Sequence, residues 1–459
     1  MAHYQNEVKT EAEVLLINPP SRFLRERHKD EVDFPHPGLG YLAAYLRQHG
    51  FKCQPIDAKF ERIDFDQLAL RLKKYRPCFV GITSMTHDMG QAAKAAKLAK
   101  EVFPGVITIL GGPHATALPE KTLRQFSEFD IAVIGEGEIT LREIIKGNSL
   151  PAINGIAYRD GEEIKLTPSR EFIRNLDELP LPAWDLFPPS KTYSLITTRG
   201  CPFQCNFCMR VAGNQIRKRG LEKILEEFEL DVNRCGAATL YIHDESFGAD
   251  KKQANVLLDS LIKRRSSNKK INLIVQTRVD LVDEEFLRKL KAAGCIEIGL
   301  GVESGNEKIL KSTSKGITLK KVEESVMLAK KVGLPTTSFF IIGHPYETKQ
   351  TVWDTINFAA KLNTAYVAFG IMVPYPGTEI YKMAINGEGG YRMISSDWAD
   401  FNKTIGSSIE LETLSRKEME KLQLQAYFLF YFKNWRLWEF LKLLYCERRV
   451  AWAVVKKII

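Results

Sequence analysis

No stretch of this chain is apolar for long enough to span a bilayer, and its first residues lack the apolar core of a secretion signal. The expected location is cytoplasmic rather than integral to a membrane. Cysteine is scarce: of eight among 459 residues, five stand singly (Cys53, Cys78, Cys235, Cys295 and Cys446). Such cysteines do not build a disulfide framework, and they point to a reducing, oxygen-poor compartment. No second CxxC pair accompanies Cys205 and Cys208, which argues against the usual four-ligand zinc site. A separate basic arm is also missing. The 65 Lys and Arg are dispersed among 56 Asp and Glu, and a net charge of +9 gives no footing for nucleic acid as a partner. There are no internal repeats or low-complexity segments.

What is present is a sizeable enzyme-like chain whose 44% hydrophobic content can fill two or three cores. Its sharpest feature is Cys201, Cys205 and Cys208 in the run Thr-Thr-Arg-Gly-Cys-Pro-Phe-Gln-Cys-Asn-Phe-Cys-Met, directly after the β-prone stretch Tyr193 to Thr197. A closed structural metal site wants four ligands, whereas three thiolates on one loop leave a coordination position for something that reacts. Inert core cysteines are the structural alternative, but three within eight residues beside Gly200 and Pro202 are a poor way to fill a core. The run resembles the signature of the radical S-adenosylmethionine superfamily, with aromatic Phe207 just before the last cysteine. That resemblance implies a 4Fe-4S cluster held by Cys201, Cys205 and Cys208, with S-adenosylmethionine on its open iron.

Residues 1–146 read as one domain. Apolar segments at Val14 to Asn18, Cys53 to Asp57, Phe79 to Ser84, Val106 to Leu110 and Ile131 to Ile134 alternate with helical patterns, which predicts a doubly wound, Rossmann-like parallel α/β fold. GxGxxG is missing after the first strand, so NAD is disfavoured. The strand ends are polar and Gly-rich: Ser84, Met85, Thr86 and His87; Gly111, Gly112, Pro113 and His114; Gly135, Glu136 and Gly137. Ligands of such folds bind beyond the carboxyl ends of the strands. Together with Pro37 to Ala43, these segments resemble the cobalamin-binding domain found upstream of the cluster domain in many members of that superfamily. The resemblance implies that the named strand-end residues contact cobalamin. The DxHxxG motif that supplies a histidine to cobalt elsewhere is absent, so cobalt is expected to take no ligand from that motif. His87 and His114 are read as cradling or hydrogen-bonding residues, with a solvent-facing loop histidine as the structural alternative.

Residues 147–192 read as a linker with a hairpin turning at Asp160-Gly161, then a Pro-rich run in which Trp184 serves as a packing anchor. Residues 193–385 repeat strand and helix six times, which predicts a partial (β/α)6 barrel with its chemistry at the carboxyl ends of the strands. By the same resemblance these ends bind S-adenosylmethionine. Phe207 lies beside the cluster, Asp244 or Glu245 pairs with the ammonium, and Arg278 grips the carboxylate in two-pronged fashion. Glu303 and Ser304 meet the ribose and carboxylate, and Gly343 and Pro345 lie beside adenine. Each has a structural alternative: Glu303 would salt-bridge Arg278 and tie two strands together, and Gly343 would only turn a corner.

The implied activity is methyl transfer from methylcobalamin to an unactivated carbon, after the 5'-deoxyadenosyl radical has taken a hydrogen from it, with flavodoxin or ferredoxin as reductant. The alternative is a radical oxidative cyclisation or rearrangement without methyl transfer, of the porphyrin-cyclase kind. A non-catalytic cobalamin sensor or carrier is the more distant one. Residues 386–459 read as a helical, basic and aromatic region, in which eight Lys and Arg face two Glu from Lys421 onward. They form either a cap over the barrel mouth or a peripheral contact with the inner surface of a membrane. The aromatic content leans toward a lipid-like, poorly soluble small-molecule substrate.

Overall fold

In the computed structural model the described residues are 12–21, 34–267, 270–403 and 407–446. Trp452 and the rest of the tail beyond Cys446, expected as part of the helical region, lie outside them. The contacts divide the chain into two units, each with its own core.

The first unit takes in Pro35–Ile173 and Glu178–Pro189 together with the first strand. Its sheet consists of β1 (Val14–Asn18), β2 (Cys53–Asp57), β3 (Phe79–Thr83), β4 (Ile107–Gly111), β5 (Ile131–Val133), β6 (Ile156–Asp160) and β7 (Glu163–Leu166). The order is β2-β1-β3-β4-β5-β6-β7, parallel as far as β5. Every residue of β1 is buried, as a central strand covered on both faces requires. The order reverses between β1 and β3, the place where doubly wound sheets open a crevice at their carboxyl ends. The Asp160-Gly161 hairpin does form, but it pairs antiparallel with β5 and completes this sheet instead of standing in a linker. Trp184 is buried in the same unit, so close to Gly40 that a Cβ there would stand 2.7 Å from its ring. The Pro-rich run is therefore packed structure.

The second unit holds β8 (Thr192–Leu195), a small antiparallel pair β9 (Thr198–Arg199) and β10 (Arg217–Lys218), and then β11 (Thr239–Ile242) and β12 (Asn272–Arg278). They are followed by β13 (Cys295–Glu303), β14 (Thr336–Ile342) and β15 (Tyr366–Ile371). The six long strands run parallel in the order β15-β14-β13-β12-β11-β8, with β8 and β15 as the two edges, so the barrel is partial, as six βα units imply. The region after it is not helical throughout. A short antiparallel pair, β16 (Tyr391–Met393) with β17 (Ile409–Leu411), precedes the helices Arg416–Lys433 and Leu437–Cys446. The first of these helices starts in a capping box of Ser415 and Glu418 and buries Met419, Leu422, Ala426 and Phe430 against β15 and the helix Lys349–Leu362. Among the described residues no helix is long and apolar enough to cross a membrane.

Candidate functional site

The cysteine loop leaves the carboxyl end of β8 and is tied down at both ends. At its start Asp244, from the end of β11, accepts from the backbone N–H groups of Thr197 (2.7 Å) and Thr198 (3.1 Å) and from both threonine hydroxyls. Gly200 follows at φ 92°, where a Cβ would lie 2.1 Å from the Gln215 carbonyl, so only glycine fits. Past Cys205, the Asn206 side-chain amide donates to the Ser312 carbonyl at 2.6 Å and its N–H to that of Thr313 at 3.1 Å.

Cys201, Cys205 and Cys208 all line a cavity of about 1200 Å³. Burial pushes the Cys205 thiol up, opposed by the Lys315 and Arg278 cations. Cys208 meets solvent in the cavity, yet burial, then the neighbouring Cys201 and Cys205, push its thiol up to about 11. Thiols raised in this way, as Cys205 and Cys208 are, become thiolates beside strong positive charge, which iron supplies. Among the described residues no three His, Cys, Asp or Glu side chains converge closely enough to hold a single metal ion. Three cysteines on one loop, lining one cavity, fit a 4Fe-4S group in which each thiolate holds a different iron and one iron is left to the cavity.

The residues expected around S-adenosylmethionine divide sharply. Phe207, Glu245, Arg278 and Glu303 line the cavity with the cysteines. Asp244 does not: it is buried, fully engaged in holding the loop, and raised to about 6 by burial. Glu245 is exposed to the cavity and free of such duties, which makes it the carboxylate suited to an ammonium. Arg278 is largely committed. Its fork holds Asp280 through two bonds of 2.9 Å, it donates to the Lys315 carbonyl, and its Nη1 lies 3.6 Å from Cys205 Sγ. The guanidinium also stacks 3.8 Å from the Phe203 ring centroid. Of its five N–H donors one remains, so the two-pronged grip expected of Arg278 is not on offer.

Glu303 pairs with Lys315, not with Arg278, and both are buried. Lys315 Nζ also donates to the Gly301 carbonyl at 2.8 Å, and Glu303 sits at φ 70°, a left-handed conformation costly for any residue but glycine. Ser304 lies off the cavity lining, its hydroxyl 3.0 Å from that of Thr355. Gly343 and Pro345 are buried and also off the lining; Gly343 packs against Met372 and Met419. The Glu347 carboxylate accepts from the Gly343 and His344 N–H groups and fixes that turn.

Sequence reasoning missed Lys315, although Ser314 and Gly316 at positive φ on either side mark a tight turn. It also missed the apolar part of the lining, to which β14 and β15 give Phe339, Phe340 and Phe369 and the C-terminal helices give Leu424, Phe428 and Phe440. Gln423 from the same region donates to the Phe369 carbonyl at 2.6 Å, and the Phe369 N–H donates to the Tyr427 hydroxyl at 3.1 Å.

In the first unit, Ser84, Met85, Thr86, Gly111, Gly112, Pro113 and His114 come together at the carboxyl ends of β3 and β4. Gly112 has φ 93°, and a Cβ on it would stand 2.9 Å from the Ser84 carbonyl. His114 is fully buried, with Nδ1 3.2 Å from the Thr86 hydroxyl, and burial pushes it down to about 4, so it is a neutral interior group. His87 lies 3.4 Å from Asp88, which in turn pairs with Lys59. Past β5, the Gly135 N–H donates to Thr116, Glu136 accepts from the Ile173 N–H at 2.7 Å, and Gly137 faces Leu42. A Cβ on Gly111 or Gly135 would meet nothing within 4 Å. The strand ends thus present open backbone, a cradle that fits a large flat cofactor such as cobalamin.

Residues 195–359 match the model of the Radical SAM superfamily, and residues 27–145 that of the B12 binding domain. An uncharacterized methyltransferase of Pyrococcus horikoshii is 34% identical over 434 residues, 92% of each chain. An anaerobic magnesium-protoporphyrin IX monomethyl ester cyclase of Cereibacter sphaeroides is 28% identical over 76% of this chain and 60% of its own length. The fold matches that of the radical S-adenosylmethionine methyltransferase TsrM from Kitasatospora setae, with a TM-score of 0.71 at 21% identity over 84% of this chain and 79% of that one.

Proposed function

This chain belongs to the radical S-adenosylmethionine superfamily, in the branch that carries a B12-binding domain, and we propose from there that it methylates an unactivated carbon of a large, apolar small molecule. When bound, the cluster supplies the electron that cleaves S-adenosylmethionine into methionine and a 5'-deoxyadenosyl radical, and cobalamin supplies the methyl group.

The chain's own residues do the rest. Cys201, Cys205 and Cys208 hold the cluster, and Asp244 fixes the loop that presents them. Glu245 takes the methionine ammonium, and Phe207 packs beside it. The remaining Arg278 N–H and the buried Glu303–Lys315 pair receive the carboxylate and ribose side. Ser304, Gly343 and Pro345 support these groups from behind. Ser84 to His87, Gly111 to Pro113 and Gly135 to Gly137 cradle cobalamin, and His114 supports them from the interior beside Thr86. The reductant is a flavodoxin or ferredoxin, and the compartment is the cell interior.

The observation that carries the substrate class is the cavity itself. The three cysteines share its lining with Phe339, Phe340, Phe369, Leu424, Phe428 and Phe440. A wall of that kind holds an apolar body and excludes water from the reacting radical. The same C-terminal helices carry exposed aromatic residues, which supports peripheral contact with a membrane.

The cyclase relative favours a second reading, ring closure of a tetrapyrrole without methyl transfer. Anaerobically reconstituted enzyme, given reductant and methyl-labelled S-adenosylmethionine, is to be incubated with an organic-solvent extract of cells. Label moving into a solvent-extractable product is expected. Label transferred to a water-soluble product other than methionine would refute the apolar class, and 5'-deoxyadenosine with label left only in S-adenosylmethionine and methionine would favour cyclisation.

A further inference from the structure

Seven of the eighteen exposed large hydrophobic side chains among the described residues fall between Phe428 and Tyr445, and the others are scattered singly. On the helix Leu437–Cys446, Trp438 (80% exposed), Leu441 and Tyr445 recur at three- and four-residue spacing and form one outward stripe. A different side of that helix is apolar too: Phe440 packs 5.7 Å from Phe428 and 5.9 Å from Tyr431, and with Leu444 it lines the cavity. A helix apolar on both sides, with one side facing out, has something apolar beyond it.

The turn before it makes the same point. Trp435 is 93% exposed and sits at φ 57°, a conformation that a bulky side chain adopts only when its surroundings impose it. Arg436 imposes it, donating to the Thr364 and Ala365 carbonyls at 2.8 and 2.6 Å and pairing with Glu439. The indole is therefore held out into solvent by a fixed turn. Phe432, exposed as well, stacks 5.4 Å from Phe428, which itself lines the cavity, so the outer aromatic surface is continuous with the apolar wall within.

We propose that this face is a docking surface for an anionic lipid bilayer, through which an apolar substrate passes into the cavity. Lys433 and Lys442, on either side of Trp438 in the sequence, are exposed, and from Lys433 to Cys446 three Lys and Arg stand against one Glu. Tryptophan and tyrosine mixed with lysine suit the headgroup boundary, whereas the core of a protein interface is depleted in lysine. A second copy of this chain, with its own net charge of +9, meets the same basic surface with like charge. The inference rests on the apolar-substrate reading for its purpose, but its test does not.

Full-length reconstituted protein is to be sedimented with vesicles of phosphatidylcholine alone, and of phosphatidylcholine with phosphatidylglycerol. The wild type is expected to follow the anionic vesicles, less so as salt rises. Trp435→Ser combined with Trp438→Ser is expected to weaken partitioning by about tenfold or more, with the cluster absorbance and melting curve unchanged. Lys433→Glu combined with Lys442→Glu should weaken binding to the anionic vesicles only. Wild-type protein that stays in the supernatant overturns the proposal, as does a tryptophan variant that binds like the wild type. A wild-type dimer that the same variant converts to monomer would assign the face to a second copy instead. A preparation that releases 5'-deoxyadenosine yet ignores vesicles would sink this inference and leave the proposed function standing.

Discussion

Asp244 and Glu245 are neighbours in the sequence with nothing there to separate them, and the structure gives them opposite duties. One is buried under four hydrogen bonds to the loop, and the other opens to the cavity. A strand end turns successive side chains to opposite sides, and the sequence does not say which side is which. The three cysteines were legible because their spacing is itself the chemistry. Replacing any one by alanine is expected to leave the melting temperature of the cluster-free protein nearly unchanged, remove the cluster's visible absorbance after reconstitution, and lower reductive cleavage of S-adenosylmethionine by at least about a thousandfold, since no other group supplies the electron. Retained cleavage in a cluster-free variant would contradict that assignment. Lys315 was illegible because its partner lies twelve positions away on another element, at Glu303. Lys315→Met strands the Glu303 carboxylate in the interior and is expected to cost about 3–5 kcal/mol in urea unfolding, most of it recovered when Glu303→Gln is added. A cost of the single variant near zero would mean that the pair is not buried as described.

At the scale of elements, strands and their order followed from apolar runs between turn signals, whereas pairing across long sequence distances did not. The hairpin around Gly161 was legible from its turn, but its attachment to β5 depends on an edge that the hairpin's own residues do not encode. The turn after β14 behaves similarly. Gly343 looked like a ligand contact, yet it is held from below by Glu347, a residue with no sequence signal beyond its position. Burial pushes Glu347 up from 4.5 to about 8. Between those values the folded chain binds more protons at this site than the unfolded chain does, so its contribution to stability falls as pH rises from 4.5 toward 8. Glu347→Gln keeps an acceptor for the two N–H groups and has no charge to bury. Its melting temperature should therefore decline less than that of the wild type across the window. Glu347→Ala leaves two buried amides unpaired and should cost about 1–3 kcal/mol at any pH. Melts at a series of pH values check both, and parallel slopes for the wild type and Glu347→Gln would refute the charge argument.

For the whole molecule, the alternation of strands and helices was enough to give a doubly wound sheet followed by an open six-stranded one. The cavity's second wall was not legible. It is assembled from β14, β15 and helices more than fifty residues further on, and its apolar residues read equally well as core. That wall adds an apolar lining to the cysteine site. Methyl transfer of the proposed kind would consume two molecules of S-adenosylmethionine for each product, one cleaved reductively beside Cys201, Cys205 and Cys208 and one giving up the methyl group that cobalamin would carry. The most direct test is to quantify 5'-deoxyadenosine and S-adenosylhomocysteine together, by chromatography, in an anaerobic reaction of enzyme reconstituted with cluster and cobalamin and supplied with reductant and an apolar cell extract. The two products are expected to rise in parallel, in near-equal amounts, and only when the extract is present. Deoxyadenosine rising with the extract while S-adenosylhomocysteine stays at background would contradict methyl transfer.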